Sequence, residues 1–280
     1  MSLPNPLSGG SVPSAVAEGA PLQRDPAGEY SMLSHFEEAC GILRAARHLV
    51  VFTGAGISVE SGIPPFRGPD GLWNRVDPSF LELEVFFRDP VGSWKLIKEI
   101  FYDFMGGAEP NAAHRAVAQL EKAGIVKAVI TQNIDHLHQD AGSAHVIEYH
   151  GTTRRLVCLQ CGKVWKLSDV DLSDPPPFCV RCGGLLKPDF IFFGEGIPRE
   201  ASLAASMQTM EADAFLVIGT TGEVMPACAL PWAAKENGAR IVEVNLVPSH
   251  YTDVVTDVFL QGSASDVCAR LARDLLGAGE

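Results

Sequence analysis

Four short apolar runs recur along this chain: 48–53 (HLVVFT), 126–131 (VKAVIT), 214–219 (AFLVIG) and 240–246 (RIVEVNL). Each is too short for a buried helix and rich in aliphatic or β-branched residues, which predicts a strand buried on both faces. Helix-patterned stretches separate them over 34–47, 111–123, 199–211 and 229–237, and a last one runs over 265–276. Strands alternating with helices specify a parallel sheet covered by helices on both sides. Ser34, with Glu37 three residues on, forms a capping-box pattern for the first helix, and Ser265 is the expected cap of the last.

Two segments break this alternation. Residues 70–109 are aromatic-rich and mostly helical in pattern, and 152–193 carry two cysteine pairs and the run Pro175-Pro176-Pro177. The expected organisation is an α/β, Rossmann-like parallel-sheet domain built from 31–69, 110–151 and 194–280. A smaller domain is expected from the helical insertion 70–109 and a zinc ribbon over 152–193. Residues 1–30 are rich in Ser, Pro, Gly and Ala with few large apolar groups, which predicts a disordered tail.

Charge and cysteine usage narrow the function classes. A formal net charge of -12 argues against nucleic acid as a direct partner, because duplex binding rests on basic patches. Neutral or basic protein segments suit such a surface better. No apolar run reaches the roughly 18 residues of a membrane span, and the first residues lack the pattern of a secretory signal. Seven cysteines, four of them in C-x-x-C pairs, read as a metal site in a reducing compartment and not as a disulfide framework. The cytoplasm is the expected location.

Cys158, Cys161, Cys179 and Cys182 form the pattern C-x2-C-x17-C-x2-C. That spacing lies in the range of a tetrahedral four-thiolate zinc ribbon. Two unrelated reduced pairs or a redox motif are the competing readings, and the spacing disfavours both. Four thiolates fill the coordination sphere, so one structural Zn2+ is expected, with no open position for a substrate.

After the first strand comes Gly54-Ala55-Gly56-Ile57-Ser58. Glycines here let the backbone turn sharply and approach a pyrophosphate. The full dinucleotide fingerprint is absent, since position 59 is Val and the next glycine is Gly62, so a plain turn stays open. No acidic residue stands where a dehydrogenase would hold its ribose. Gln132, Asn133 and Asp135 follow the second strand at the edge where parallel sheets bind ligands. His150 follows the short strand Val146–Tyr149 and is either a general base or a satisfied structural histidine. His136 and His138 read as helix or capping residues.

The loop continues to Phe66-Arg67-Gly68, and GAGIS…SGIP-x-FRG resembles the signature of the sirtuins. TQNIDHLH over 131–138, His150-Gly151, the cysteine pairs, Phe192-Phe193-Gly194-Glu195, Gly219-Thr220-Thr221, Val244-Asn245 and Gly262-Ser263-Ala264 follow in family order. The resemblance covers about 35–275. It implies NAD-dependent removal of acyl groups from protein lysines, yielding nicotinamide and 2′-O-acyl-ADP-ribose. It implies NAD as a consumed co-substrate and acyl-lysine proteins or peptides as partners. His150 is then the general base, with Asn133 and Asp135 at the reacting ribose and the nicotinamide. Gly54, Ala55, Gly56, Phe66, Arg67, Gln132 and Ile134 belong to the nicotinamide and phosphate side. Gly219, Thr220, Thr221, Asn245 and Ala264 belong to the adenosine side. Ile191, Phe192, Gly194 and Glu195 would meet an extended substrate by strand addition, as would the segment 246–250.

The sequence departs from the family at Pro65, where Asp or Thr is usual, and at Thr221-Gly222-Glu223. Mono-ADP-ribosyl transfer on the same fold and a non-enzymatic NAD-sensing module are the alternative functions. No Tyr-x-x-Arg pair for acidic acyl groups exists before Glu109-Pro110-Asn111, where the matching positions hold Lys98 and Phe101. Neutral acyl groups, acetyl above all, are therefore the expected substrates, and Lys98 is the one residue that could supply a charge.

Overall fold

The computed structural model describes residues 32–66 and 71–277. The expected tail over 1–30 and Arg67 lie outside the described residues. In chain order the regular elements begin with α1 (Met32–Ala45), β1 (Leu49–Thr53), α2 (Leu83–Arg88), α3 (Pro90–Ile97), α4 (Ala112–Lys122) and β2 (Val126–Thr131). Next come α5 (Leu137–Asp140), β3 (Val146–Glu148), β4 (Gly151–Cys158), β5 (Val164–Lys166) and β6 (Leu186–Phe190). The chain closes with α6 (Arg199–Glu211), β7 (Ala214–Ile218), α7 (Ala229–Glu236), β8 (Arg240–Asn245), β9 (Val258–Gln261) and α8 (Ala264–Leu276).

Six strands form one parallel sheet in the order β3-β2-β1-β7-β8-β9. The chain runs outward from β1 to β3, then returns beside β1 and runs outward the other way. That reversal places a crevice at the C-terminal ends of β1 and β7, the switch point where such sheets bind dinucleotides. Alternation along each strand sorts the core into two faces. Leu49, Val51, Val129, Leu216 and Val242 pack with residues of α1, α4 and α8, while Val50, Phe52, Ile130, Phe215 and Ile241 pack with residues of α6 and α7. Each such side chain, removed from water, contributes roughly 1.5–3 kcal/mol before entropy is counted.

A second, antiparallel sheet has the order β5-β4-β6. Leu156, Leu186, Phe190 and Phe192 pack against Phe86, Trp94, Ile97 and Phe101 from the helical insertion. Trp94 Nε1 donates to the Leu186 carbonyl at 2.9 Å, which pins the insertion to β6. Residues Lys98–Phe104 continue α3 as a π-helical turn.

Three local expectations change. The first helix is already running at Ser34, so Ser34 is inside it and not its cap. Ser263, not Ser265, caps α8: it is extended and its Oγ accepts from the Asp266 N–H at 3.1 Å. The Ser265 N–H is instead held by Glu60 at 2.8 Å, a partner distant in sequence. β9, which carried no sequence signal strong enough to read, completes the sheet edge.

Candidate active site

Two glycine turns meet at the switch point. The Gly54 N–H donates to the Ile218 carbonyl at 3.0 Å, and the Gly56 N–H to the Gly219 carbonyl at 2.8 Å. A Cβ on Gly56 would lie 2.6 Å from Gly219 Cα, and one on Gly219, whose φ is 63°, would lie 2.4 Å from Ile57 N. Neither position has room for a side chain, so the loops after β1 and β7 are in direct backbone contact. Residues Ala55–Ser61 then form a 3-10 turn.

The loop after β2 is laid across this junction. Gln132 Nε2 donates to Thr220 Oγ1 at 3.1 Å, bridging toward the loop after β7. Asn133, buried, donates from Nδ2 to the Gly54 carbonyl and to Ser58 Oγ, both at 3.1 Å. Ser58 Oγ in turn donates to Asp135 Oδ2 at 2.7 Å, and Asp135 Oδ1 accepts from the Leu137 N–H at 3.0 Å. Burial raises the Asp135 carboxyl above its ordinary range, and the Ser58 and Leu137 hydrogen bonds oppose that shift. The Ile134 carbonyl accepts both the N–H and the hydroxyl of Thr153, at 3.0 and 2.9 Å.

His150 stands beside them. Its Nδ1 lies 3.0 Å from the Gln132 carbonyl, which can only accept, so Nδ1 carries the proton and Nε2 is bare. Burial lowers this imidazole below its ordinary range, and the Gln132 carbonyl works in the opposite direction. The result is a neutral histidine with an available lone pair at neutral pH, the form a general base needs. His150 is placed by β4, which begins at Gly151, where φ is 78° and a Cβ would strike the Asp189 carbonyl. Gly151 pairs with Phe190, and the Ile191 N–H donates to the His150 carbonyl at 2.9 Å.

A cavity of about 300 Å3 opens from this point. Ala55, Ser58, Phe66, Asn133, Ile134 and Asp135 line one side; Phe101, Tyr102 and Met105 of the insertion and Leu167, Val170 and Leu172 line the other. Phe66 is braced by Trp73, with ring centroids 5.2 Å apart and nearly parallel planes. Arg154 also lines the cavity, and its guanidinium donates to Asp140 at 2.7 Å. Lys98 is not among the lining residues; its ammonium is held by Asp103 at 2.6 and 2.8 Å.

The family model of Sir2 matches residues 54–226. The NAD-dependent protein deacylase 2 of Pyrobaculum aerophilum is 49% identical over 238 residues, which cover 84% of this chain and 93% of that protein. The chain belongs to the Sir2 family. Among solved structures, a substituted Sir2 homologue with 2′-O-acetyl-ADP-ribose matches with a TM-score of 0.81 at 38% identity, over 86% of this chain and 97% of that one. A Sir2 complex with a p53 peptide and NAD+ matches with a TM-score of 0.79 at 35% identity, over 87% and 99% respectively.

Within this Sir2 chain the adenosine-side candidates fall on one edge. Asn245, at the end of β8, donates from Nδ2 to the Thr220 carbonyl at 3.0 Å, and Ala264 is the first residue of α8. Thr221 Oγ1 donates to Glu223. The substrate-strand candidates divide. Phe192 is 1% exposed and stacks on Phe190, so only its backbone could meet a peptide. Glu195 turns inward: Oε2 accepts the Phe192 N–H at 2.7 Å and the Lys187 ammonium at 3.0 Å. Gly194 has a φ of 92°. Phe193, Leu246 and Val247 are the exposed apolar side chains of the two candidate clamp segments.

Cys158, Cys161, Cys179 and Cys182 converge, with their sulfurs within 4.8 Å of one another. Cys158 and Cys182 are 3.5 Å apart and Cys161 and Cys179 3.9 Å apart. Sulfurs at 2.3 Å around a tetrahedral zinc would be about 3.8 Å apart, whereas a disulfide would need about 2 Å. Gly162 and Gly183, both at positive φ, close the two turns. The donor set and spacing fit a structural zinc.

Sequence reasoning passed over Ser58, Thr153 and Lys187 as site residues. Ser58 lay inside the quoted GAGIS motif, and its role as a bridge between Asn133 and Asp135 appears only once β1 and β2 are adjacent. Lys187 is 4% exposed, with its ammonium on the carbonyls of Pro188 and Phe190 as well as on Glu195. A lysine in a short apolar stretch was its only signal.

Proposed function

We propose that this chain removes acyl groups from protein lysines with consumption of NAD, releasing nicotinamide and 2′-O-acyl-ADP-ribose. The observation that carries the reading is His150, neutral with a bare Nε2, fixed on the carbonyl of the residue preceding Asn133. NAD supplies a ribosyl electrophile whose nicotinamide the acyl oxygen displaces. His150 Nε2 takes the proton from a ribose hydroxyl, which then attacks the former acyl carbon; the C–N bond breaks, the lysine amine leaves with a proton, and one water adds to the cyclic cation to give the 2′-O-acyl ester. Asn133 orders the ribose, while Asp135 and the backbone of Ile134 receive the carboxamide. Asp135 is prepared for this by its raised carboxyl pKa and by Ser58. Phe66, held flat by Trp73, covers the reacting carbon against water, and Arg67 holds its loop against the phosphates. Gln132 would exchange Thr220 for the nicotinamide ribose.

The remaining NAD contacts follow the sheet edge. Gly54, Ala55, Gly56 and Gly219 let the phosphates approach the backbone, while Thr220, Thr221, Asn245 and the backbone of Ala264 take the adenosine half. An acyl-lysine peptide would add as a strand beside Ile191–Gly194, with the Ile191 carbonyl accepting the lysine amide N–H. Glu195 and Phe192 act here by shaping the strand from behind. The thiolate cluster favours a reducing compartment, which supports a cytoplasmic location. Among the described residues no helix is long and apolar enough to cross a membrane. The net charge of -12 supports protein, not nucleic acid, as partner.

The acyl preference follows from the cavity. Lys98 is neutralised by Asp103, and the lining Arg154 is engaged by Asp140, so no unpaired cation among the described residues waits for a distal carboxylate. The test is one peptide carrying acetyl- or succinyl-lysine, incubated with ADP-ribose-labelled NAD and read by mass spectrometry. We expect acetyl-dependent nicotinamide release, label in a soluble acyl-ADP-ribose, and kcat/KM for acetyl at least about tenfold above succinyl, given the cost of burying an unpaired carboxylate. Label retained on protein would instead make the chain an ADP-ribosyltransferase, and no release at all would make it a binding module.

A further inference from the structure

Two histidines that the proposed reaction does not use lie buried beneath it. His114 on α4 is 0% exposed and His138 on α5 is 1% exposed, with ring centroids 5.0 Å apart. Burial holds both below the ordinary imidazole range, His114 at about 4. Each is therefore neutral at neutral pH, with one N–H and one bare nitrogen.

The neighbours decide which nitrogen is which. Asn111 Oδ1 already accepts from the Ala113 and His114 backbone N–H groups, at 2.9 and 3.3 Å. The Asn111 N–H has His114 Nδ1 as its partner at 3.3 Å. His114 Nδ1 also lies 3.1 Å from Asn111 Oδ1, but that oxygen is already taken by two N–H groups; with Nδ1 accepting from the Asn111 N–H, the His114 proton is on Nε2. On the other ring, His138 Nε2 lies 3.0 Å from Thr53 Oγ1, and Thr53 Oγ1 lies 2.8 Å from Thr131 Oγ1. Thr131 Oγ1 accepts the backbone N–H of Asn133 at 3.1 Å. With Thr53 donating to Thr131, His138 Nε2 donates to Thr53 and its Nδ1 is bare.

Two ring nitrogens then have no partner among the described residues: His114 Nε2, a donor, and His138 Nδ1, an acceptor. They are complementary. The opposite sense along the threonines would set one N–H against another in a dry interior.

We propose that His114 and His138 are positioning residues, joined nitrogen to nitrogen through one buried water, in a chain of hydrogen bonds that runs one way from the Asn111 cap through Thr53 to Thr131, whose Oγ1 also takes the backbone N–H of Asn133. Asn111 Nδ2 also donates to the Ile57 carbonyl at 2.7 Å, so the same chain reaches the glycine loop. α5 meanwhile fixes Asp135 through the Leu137 N–H. The network thus ties both loops of the site to α4 and α5. The inference rests on the reading of Asn133 as part of the reaction site, while the proton order can be read without any activity.

The experiment starts with ring-15N-histidine NMR of the full, zinc-loaded chain at pH 7. Both rings should show a protonated Nε2 and a bare Nδ1; either ring found as the Nδ1–H tautomer or as imidazolium overturns the chain. Next, backbone amide exchange of Asn133 is compared in wild type, His138→Leu and His138→Gln. The leucine variant should lose protection at Asn133 and the glutamine variant, whose amide can still donate to Thr53, should retain it. Turnover should follow, with kcat down about tenfold in His138→Leu, peptide KM unchanged, and most of the loss recovered in His138→Gln, as small misplacements at a site can cost this much. Adding Thr53→Val to His138→Leu should cost nothing further, because the two cut one chain before it reaches Thr131. Equal leucine and glutamine variants, or additive losses, would show that the histidines only fill space. A wild type without acyl-dependent turnover would refute the proposed function and leave the NMR and exchange results to decide the chain.

Discussion

The two sheets of this molecule are held together by different means. In the six-stranded sheet, β1 and β7 are buried at every residue, and helices cover both faces. In the three-stranded sheet, β5 has no buried residue and β4 alternates only in part. Its core is completed by Cys158 and Cys179 themselves. The large sheet has enough apolar area to order itself; the small one closes its far end with four thiolates. Yet the small sheet carries His150 and Ile191 at its near end. The candidate site therefore draws on both sheets: His150 and Ile191 stand at this end, while Gln132, Asn133 and Asp135 stand on the loop after β2 of the large one.

The largest effect should come from removing the structural zinc. Binding in small zinc domains reaches about 10–16 kcal/mol and is folding free energy. Chelation, or Cys179→Ser, should abolish activity and disorder the small region while most helix signal persists. Three of the four tryptophans report on this directly: Trp73, Trp94 and Trp165 pack in the small-region core, and Trp232 lies on α7. Fluorescence and turnover that are unchanged in zinc-free protein would erase the contrast between the sheets.

Next in size is the loss of the base with both regions intact. His150→Ala should lower kcat about 10²–10⁴-fold, as general-base removal commonly does, with zinc content and melting unchanged. In wild type, protonating His150 removes the base. Because burial lowers this pKa, kcat/KM should persist below the ordinary histidine range and fall only as pH drops through the depressed value. An acid limb at or above pH 6.5 would contradict this.

The smallest effect concerns the large sheet, whose weak point is acid, not chelation. His114 is held neutral in the native state, down to a pKa of about 4, while the unfolded chain takes up the proton near 6.5. Stability from this group is thus complete above about 6.5 and is lost as pH falls toward 4. Between pH 7 and pH 5 it should cost about 2 kcal/mol by linkage. Urea unfolding at the two pH values should show that difference shrink in His114→Gln; an equal slope in the variant would place the acid sensitivity elsewhere.

Much of this was readable in one dimension because the signals were local. Strands β1, β2, β7 and β8 lie within a residue of their apolar runs, and α6 lies where its pattern put it. The cysteine spacing foretold a convergence that the sulfur distances now show. What escaped was set by distant partners. Glu60 takes the Ser265 N–H and leaves the cap to Ser263. Glu195 is held by Lys187, an ion pair that no local pattern shows. His114 and His138 are far apart in sequence, and neither alone announces the other.

The pairing of β4 with β6 has a consequence for how such a chain can change. Cys158 is opposite Leu186 at one end of the ladder and Gly151 opposite Phe190 at the other, next to His150 and Ile191. In a strand a slip of one residue turns every side chain to the other face. The ladder is regular from Leu156 to Cys158, opposite Leu186 to Pro188, and its register shifts between Gly151 and Leu156; a single-residue deletion inside the regular stretch has nowhere to be absorbed beside the thiolates. The stretch 173–176, after the cavity-lining Leu172 and before Pro177, whose carbonyl accepts the Leu186 N–H, spans no ladder of this sheet. Length variation is therefore cheap there and prohibitive a few residues away, and anyone grafting new loops onto this scaffold should cut accordingly.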